Sequence, residues 1–145
     1  MVSMFAAVLP GDPKGQGSLT LWKGSDGVER AKHPPATVLH RNNAIAVLAS
    51  EWGDREPMRG PVRLGLEFVF TRPKSHYGTG RNAERVKDSA PEWQTSYPDL
   101  DKAVRLVGDA LVIAGVLADD SQVAVVTGQK RYGAKGLTVV EVWAL

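Results

Sequence analysis

Residues 98–123 read PDLDKAVRLVGDALVIAGVLADDSQV. Apolar residues recur at three- or four-residue spacing from Leu100 to Ala114, which predicts an amphipathic helix. The following Gly115 is typical of a helix C-terminus. Crowded carboxylates repel one another unless cations or hydrogen bonds offset the repulsion, and a divalent metal is a common reason for such crowding. Two pairs of aspartates bracket the helix: Asp99 and Asp101, then Asp119 and Asp120.

Each aspartate pair also has a simpler explanation. An aspartate at a helix start stabilises the helix through its cap and its dipole, and two aspartates after a helix can form a polar turn. The metal interpretation gains support because both pairs frame one helix and because magnesium prefers carboxylate oxygens. Metals held by shared carboxylates can stabilise the attacking and leaving oxygens when a phosphodiester is cleaved.

The charge of the chain is unevenly distributed. The net charge is +2, but residues 99–124 carry two basic and five acidic side chains, so the rest of the chain carries +5. An acidic segment inside a basic chain is what a metal-dependent nuclease needs, because the basic surface attracts phosphate. A chance fluctuation in a mildly basic protein gives the same pattern.

Length and composition favour one domain spanning residues 1–145. The chain contains no cysteine, which excludes disulfides and thiolate zinc sites. Residues 1–9 are apolar but lack a basic start and end at Pro10, which predicts a strand rather than a signal peptide. No apolar run approaches the roughly 18 residues that span a bilayer. We therefore expect a cytoplasmic protein without membrane contact.

The periodicity of the remaining chain predicts two main helices on a mixed sheet of about four or five strands, an α/β (α+β) fold. Strict alternation makes residues 62–70 the clearest strand. Strands are also predicted at 2–9, 19–22, 122–131 and 137–144, the last two joined as a hairpin through 132–136. The first main helix is predicted over 38–52, with Thr37 as N-cap after the stop at Pro34-Pro35.

Residues 71–98 form a long basic loop with a short helix predicted at 83–86. Loops of this length inside a domain are usually functional or mobile. Tyr77 and Trp93 either stack on unpaired bases or pack within the loop. Lys130, Arg131 and Lys135 either extend the basic surface or are solvated. The predicted contacts to a DNA backbone are Arg72, Lys74, His76, Arg81, Arg85 and Lys87, with Lys14 and Lys102 outside the loop.

The 98–123 segment resembles the signature of the RusA family of Holliday junction resolvases, which are often encoded by phages and prophages. The flanking Leu9-Pro10, Lys14-Gly15 and Arg72-Pro73-Lys74-Ser75-His76 agree with phage-type members more loosely. The matching residues are Pro98-Asp99-Leu100-Asp101-Lys102, Arg105, Asp109-Ala110-Leu111, Gly115-Val116-Leu117 and Asp119-Asp120-Ser121-Gln122-Val123.

This resemblance implies a RusA-like homodimer that binds four-way DNA junctions and cuts two strands symmetrically in recombination and repair. Magnesium is the implied cofactor, with Mn²⁺ as a substitute, and no nucleotide cofactor is expected. Asp99, Asp101 and Asp120 fall on the catalytic and metal-binding aspartates of the family, and Asp119 is the adjacent acidic partner.

Arg105 stands where the best-known members have a lysine, six residues after the first aspartate. Arginine keeps the charge but cannot transfer a proton near neutral pH. Arg105 therefore serves if the role is phosphate clamping and fails if the role is proton transfer, for which Lys102 is a nearby substitute. The four-residue spacing of Asp101, Arg105 and Asp109 fits either a surface ion-pair ladder or an Arg105 that orients Asp101.

Distance raises a question about how the aspartates meet. The predicted helix rises about 21 Å, and the six residues 115–120 span at most about 20 Å when extended. A single chain would need an almost straight return along the helix. Antiparallel pairing of two copies of the helix brings Asp120 of one protomer near Asp99 of the other, so we hypothesise a site shared across a dimer.

Three functions follow from these patterns. The leading one is a metal-dependent endonuclease that acts on branched DNA. The second is a non-catalytic module of the same fold that binds branched DNA without cutting it. The third is a metal-dependent phosphohydrolase acting on nucleotides, although residues 11–17 lack the Lys-Ser/Thr ending of a phosphate-binding loop.

Overall fold

The computed structural model describes residues 5–17 and 20–145, and its elements over this part of the chain are six strands and two α-helices. Three 3₁₀ helices lie at Lys74–His76, Gly80–Asn82 and Asp120–Gln122. The larger elements are β1 (Phe5–Pro10), β2 (Thr20–Lys23), β3 (Glu29–Lys32), α1 (Pro35–Trp52), β4 (Val62–Thr71), α2 (Leu100–Ile113), β5 (Val123–Gly133) and β6 (Leu137–Ala144).

Four strands form the main sheet in the order β1-β6-β4-β5. Strands β4 and β5 are parallel, and the other two pairings are antiparallel. The alternation along β4 buries Leu64 and Phe68 on the face that α1 and α2 cover. Leu48 of α1 and Leu111 of α2 are fully buried in the same core. The predicted α+β fold with a mixed sheet and two main helices is confirmed.

The predicted hairpin between the last two strands is wrong, because β4 lies between β5 and β6. Residues 134–136 cross the end of β4, where the Gly136 N–H donates to Thr71 Oγ1 at 3.0 Å. Three residues span about 10 Å, which matches two interstrand spacings of about 4.8 Å. The crossing leaves β5 at the edge of the sheet, beside α2.

Three local predictions also need correction. Helix α1 begins at Pro35, and Thr37 is buried rather than capping, because the fixed φ of proline suits the first helical position. The short helix predicted at 83–86 is replaced by turns after the 3₁₀ helix Gly80–Asn82. Strand β3 was not predicted. Residues 2–4 and 19, which the predicted strands include, lie outside the described residues.

The long loop 71–98 is irregular, as predicted, and its final part is fixed to β5. The Tyr132 N–H donates to the Glu92 carbonyl at 2.9 Å. Lys130 Nζ donates to the carbonyls of Ser96 at 2.8 Å and Pro98 at 2.7 Å. These bonds place the chain for its entry into α2. No helix in the described ranges combines the length and the apolar character that crossing a bilayer requires.

Candidate active site

The first aspartates lie at the start of α2. Asp99 is the N-cap residue, yet its side chain makes no capping hydrogen bond. Asp101 lies in the first turn, and its side chain is 75% exposed and 3.6 Å from Lys102 Nζ. Capping therefore does not account for the Asp99 carboxylate. We call Asp99 and Asp101 the N-terminal carboxylate pair.

The other aspartates lie beyond the far end of α2. Asp119 caps the 3₁₀ helix Asp120–Gln122, since its Oδ1 accepts from the Ser121 N–H at 2.8 Å and Gln122 completes a capping box. Gln122 Nε2 also donates to the carbonyls of Met58 at 2.8 Å and Gly60 at 2.9 Å. These bonds hold Asp120 in a fixed turn.

Asp120 lies close to two further carboxylates. A hydrogen bond with the Asp119 carboxyl, followed by burial and the nearby charges of Asp119 and Asp109, raises the pKa of Asp120 above its ordinary value. Asp109, on the third turn of α2, lines one pocket with Asp119 and Asp120. We call Asp109, Asp119 and Asp120 the C-terminal carboxylate cluster.

The two groups of carboxylates lie apart within one protomer. Asp101 and Asp109 are eight residues apart on α2, which is about 12 Å along the helix axis. Within the described residues, no three acidic or histidine side chains are placed to hold one metal ion. The chain by itself therefore does not bring Asp99, Asp101 and Asp120 together around one metal ion.

An open apolar groove connects the two groups along α2 and β5. Leu100 and Val104 of α2 line it together with Val126 and Gly128 of β5. Val126 is 49% exposed and Leu100 37% exposed. At Gly108, in the C-terminal half of the groove, an added Cβ would have no neighbour within 4 Å. The groove is wide enough at this point for another backbone to approach closely.

Arg105 faces the C-terminal half of this groove. It is exposed and lines a pocket shared with Asp109 and Asp120. Over residues 5–17 and 20–145, the ion pairs include none between Arg105 and either Asp101 or Asp109. Neither the ion-pair ladder nor an Arg105 that orients Asp101 is therefore formed among the described residues, and the guanidinium is available to a ligand.

Gln16 is a site residue that the sequence did not reveal. It is only 5% exposed, and its Nε2 donates to Asp109 Oδ2. Its Oε1 accepts from Arg41 Nη1 of α1 at 3.4 Å, and its N–H donates to the Lys102 carbonyl at 3.0 Å. Gln16 thereby fixes Asp109 of the C-terminal carboxylate cluster. The four-residue spacing from Arg105 pointed to Asp109, but a glutamine in a glycine-rich loop gave no signal.

We expect Gln16→Ala to lower the free energy of unfolding by about 1–3 kcal/mol, because it leaves half-buried polar groups of Asp109 and Arg41 without their partner. Denaturant unfolding measures this change. Gln129→Ala, which alters an exposed glutamine of β5, should change the free energy by no more than about 0.5 kcal/mol. Equal stability of the two variants would contradict a structural role for Gln16.

The predicted DNA contacts fall into two groups. Arg72 Nη1 donates to the Pro91 carbonyl at 2.8 Å, and the His76 ring meets the Tyr132 ring edge-on with centroids 4.8 Å apart. These two side chains are engaged in holding the loop. Lys14 is half-buried and Lys102 faces Asp101. The exposed cations of the loop are Lys74, Arg81, Arg85 and Lys87.

The remaining loop and strand residues also divide into side chains that make contacts within the protein and side chains that are exposed. Lys130 holds the carbonyls before α2, and Arg131 pairs with Glu67, so neither is a solvated surface cation. Lys135 is exposed. Tyr77 is half-buried, while Trp93 is 51% exposed. Base stacking by either ring stays a prediction.

The chain matches the family model of endodeoxyribonuclease RusA over residues 10–143, which is nearly its whole length. No curated relative matches it. The match spans α2, both groups of carboxylates and the basic loop, so the resemblance of the 98–123 segment is confirmed. The chain therefore belongs to the RusA family of junction-resolving endodeoxyribonucleases.

Proposed function

We propose that this endonuclease resolves Holliday junctions and related branched DNA by paired, magnesium-dependent cleavage, and that it works as a homodimer. The observation that carries the proposal is the arrangement of α2. Carboxylates lie at both ends of this helix, and an open apolar groove joins them. A two-fold axis near the middle of the groove would complete two identical sites.

The groove suits a second copy of the same helix. Antiparallel pairing of α2 across a two-fold axis places the N-terminal carboxylate pair of one protomer beside the C-terminal carboxylate cluster of its partner. Gly108 permits close approach of the helices, and burial of Leu100 and Val126 removes exposed apolar surface from water. Val104 of α2, which lines the groove beside Val126, would add to this interface.

The carboxylates fit magnesium in their chemistry. Asp99 and Asp101 offer exposed oxygens that no helix cap uses. Asp120 lies close to other carboxylates, and a bound cation would offset the repulsion between them. Asp119 is engaged as a cap, so we assign it to positioning Asp120, with any metal contact through its second oxygen. A bound Mg²⁺, or Mn²⁺ in its place, activates water and stabilises charge on the phosphate.

Arg105 fits the role of a phosphate clamp better than that of a proton carrier. Its guanidinium is exposed near Asp120, carries no ion pair to the α2 aspartates and stays charged at any ordinary pH. Lys102 is held near Asp101, on the other side of the proposed site. We assign phosphate binding to Arg105, with Lys102 next to the N-terminal carboxylate pair.

A cleavage assay tests the function as a whole. A synthetic four-way junction and a linear duplex of equal length are incubated with the protein in Mg²⁺, in Mn²⁺ and in EDTA. We expect paired cuts in opposite strands of the junction that require a metal. Binding without cutting would favour the non-catalytic module, and equal cutting of the duplex would contradict junction resolution. Hydrolysis of nucleotides would favour the phosphohydrolase.

The exposed cations of the loop give a prediction about salt dependence. We expect the double variant Lys74→Ala/Arg85→Ala to bind the junction more weakly and to reduce the slope of log K against log salt by about 2, because two phosphate contacts are lost. Titrations over a range of salt concentrations measure the slope. Glu84→Ala, in the same loop and also exposed, should not weaken binding. An unchanged slope in the double variant would remove these residues from the DNA surface.

A further inference from the structure

Strands β2 and β3 form a two-stranded ribbon that lies outside the main sheet. The described side chains from Leu21 to Lys32 are all exposed, including Leu21 at 71% and Trp22 at 39%. A lone two-stranded ribbon is only marginally stable in water. An exposed tryptophan on such a ribbon therefore calls for an explanation that packing in this protomer does not supply.

The two faces of the ribbon differ in chemistry. The register pairs Trp22 with Arg30 and Thr20 with Lys32, which places Trp22 and both cations on one face. Arg30 Cζ lies 5.3 Å and Lys32 Nζ 5.0 Å from the centroid of the Trp22 ring. The opposite face carries Leu21 with a neutralising pair of charges, since Lys23 stands across from Glu29.

Local bonds hold the cationic face in place. Arg30 forms an ion pair with Asp26 of the turn at 2.6 Å, and Asp26 Oδ1 also accepts from the Val28 N–H at 3.0 Å. Among the ion pairs of the described chain, none involves Lys32. The Trp22 ring is thus in contact with an oriented guanidinium and with an ammonium that has no acidic partner among the described residues.

The loop that leads to the ribbon passes close to the N-terminal carboxylate pair. The loop before it crosses the first turn of α2, where the Gln16 N–H donates to the Lys102 carbonyl at 3.0 Å. At Gly15 the chain is so close to α2 that an added Cβ would lie 2.8 Å from Pro98 Cβ and 2.9 Å from Lys102 Cβ. Thr20 follows Gln16 by four residues, so the ribbon starts within about 14 Å of this contact.

We propose that the β2–β3 ribbon recognises the branch point of the DNA, with Trp22 stacked on an exposed base face and Arg30 and Lys32 on the flanking phosphates. This inference rests on the proposed function. Bases at an open junction centre have a face without a stacked neighbour and offer it to an aromatic ring, whereas the bases inside a linear duplex are already stacked. A second copy of the ribbon is a poor occupant, because it would present the same two cations.

The test compares Trp22→Ala with wild type in the full-length protein, without divalent metal so that no DNA is cut. We expect binding of a four-way junction to weaken about 5- to 150-fold, and binding of a linear duplex of equal length to stay within about twofold. Trp22→Phe should retain most of the junction affinity. Wild type and Trp22→Phe should quench 2-aminopurine placed at the branch point, and Trp22→Ala should not.

Two control variants separate stacking from structural effects. Leu21→Ala on the opposite face should bind the junction like wild type. Trp22→Leu keeps apolar bulk but has no aromatic face, so it should lose junction binding with an unchanged Tm. If Trp22→Leu binds the junction like wild type, or if Leu21→Ala loses as much affinity as Trp22→Ala, base stacking is excluded.

Other outcomes also overturn the inference. Unchanged junction binding by Trp22→Ala excludes a role in recognition, and an equal loss on junction and duplex excludes recognition of the branch point. Sedimentation that shows Trp22→Ala dissociating into monomers would assign the ribbon to contacts between copies. If wild type cuts the junction and Trp22→Ala binds it normally, the ribbon inference fails and the proposed function stands. If wild type neither binds nor cuts the junction, the proposed function itself fails.

Discussion

Asp101→Asn is expected to abolish cleavage of a four-way junction while leaving junction binding unchanged or tighter. The side chain of Asp101 is 75% exposed and its ion pair with Lys102 is long, at 3.6 Å. Asparagine keeps the shape but removes the charge that a metal requires. A bound metal stabilises the transition state of such cleavage by several kcal/mol. We therefore expect the cleavage rate of the variant to fall about 10²- to 10³-fold or more. Binding does not suffer, because one negative charge leaves a surface that meets phosphates.

Single-turnover cleavage in Mg²⁺ and a binding titration in EDTA measure the two effects separately. Glu51→Gln is a matched control, since it removes an exposed carboxylate from α1, and its cleavage rate should stay within about twofold. A clear loss of junction binding by Asp101→Asn would contradict the assignment. So would cleavage at the wild-type rate, because the metal would then need no carboxylate at this position.

The parts of the fold that the sequence predicted are those that local periodicity determines. The alternation of β4 and the apolar stripe of α2 each follow from the burial of one face, so their bounds were found within about one residue. Strand β3 was missed because its sequence, ERAK, lacks an apolar pattern and its three charged side chains are exposed. Strand β2 is exposed as well, but its apolar Leu21 and Trp22 marked it as a strand, and β3 offers no such residues.

The placement of β5 and β6 on opposite sides of β4 shows a second limit of local reasoning. Two strands separated only by residues 134–136 have the sequence pattern of a hairpin. That pattern does not indicate whether a third strand lies between them. Strand β4 takes that position because its two sides pair with β5 and β6, which buries Leu64 and Phe68 under the helices. The position of β4 also shapes the candidate site, because it leaves β5 as an exposed edge strand beside α2.

In the candidate site, too, local spacing predicted some features and long-range contacts determined the others. The two aspartate pairs and their separation by a helix followed from spacing. Three features depended on contacts between distant segments, which no local pattern reports. The first two are the bond from Gln16 to Asp109 and the bonds from Lys130 to the carbonyls before Asp99. The third is that Asp119 caps a helix with its side chain, whereas Asp99 does not.

The separation of the carboxylates gives the second prediction of large effect. A heterodimer of one Asp99→Asn protomer and one Asp120→Asn protomer is expected to cut, although each homodimer is inactive. In a shared geometry, one site receives both substitutions and the other keeps Asp99 and Asp120 from unaltered positions. Sites confined to single protomers would both be damaged.

The heterodimer can be obtained by co-expression with two affinity tags, and a supercoiled plasmid carrying a cruciform provides the substrate. One intact site should nick a single strand at a rate near that of the first wild-type cut, giving nicked circles in place of linear plasmid. A heterodimer of Asp99→Asn and Asp101→Asn is the matched control. Both substitutions fall in the N-terminal carboxylate pair, so each shared site is damaged and no nicking is expected.

The comparison isolates the geometry of the site from its chemistry. If the Asp99→Asn/Asp120→Asn heterodimer is as inactive as the control, the two ends of α2 do not meet across protomers, even if Asp101→Asn has shown that carboxylates are needed. Nicking by this heterodimer alone would mean that dimerisation builds the metal site. A substitution that weakens the helix contact between protomers, such as Gly108→Leu, should then lower the affinity for metal together with the affinity of the dimer. The reason is that the same contact assembles both.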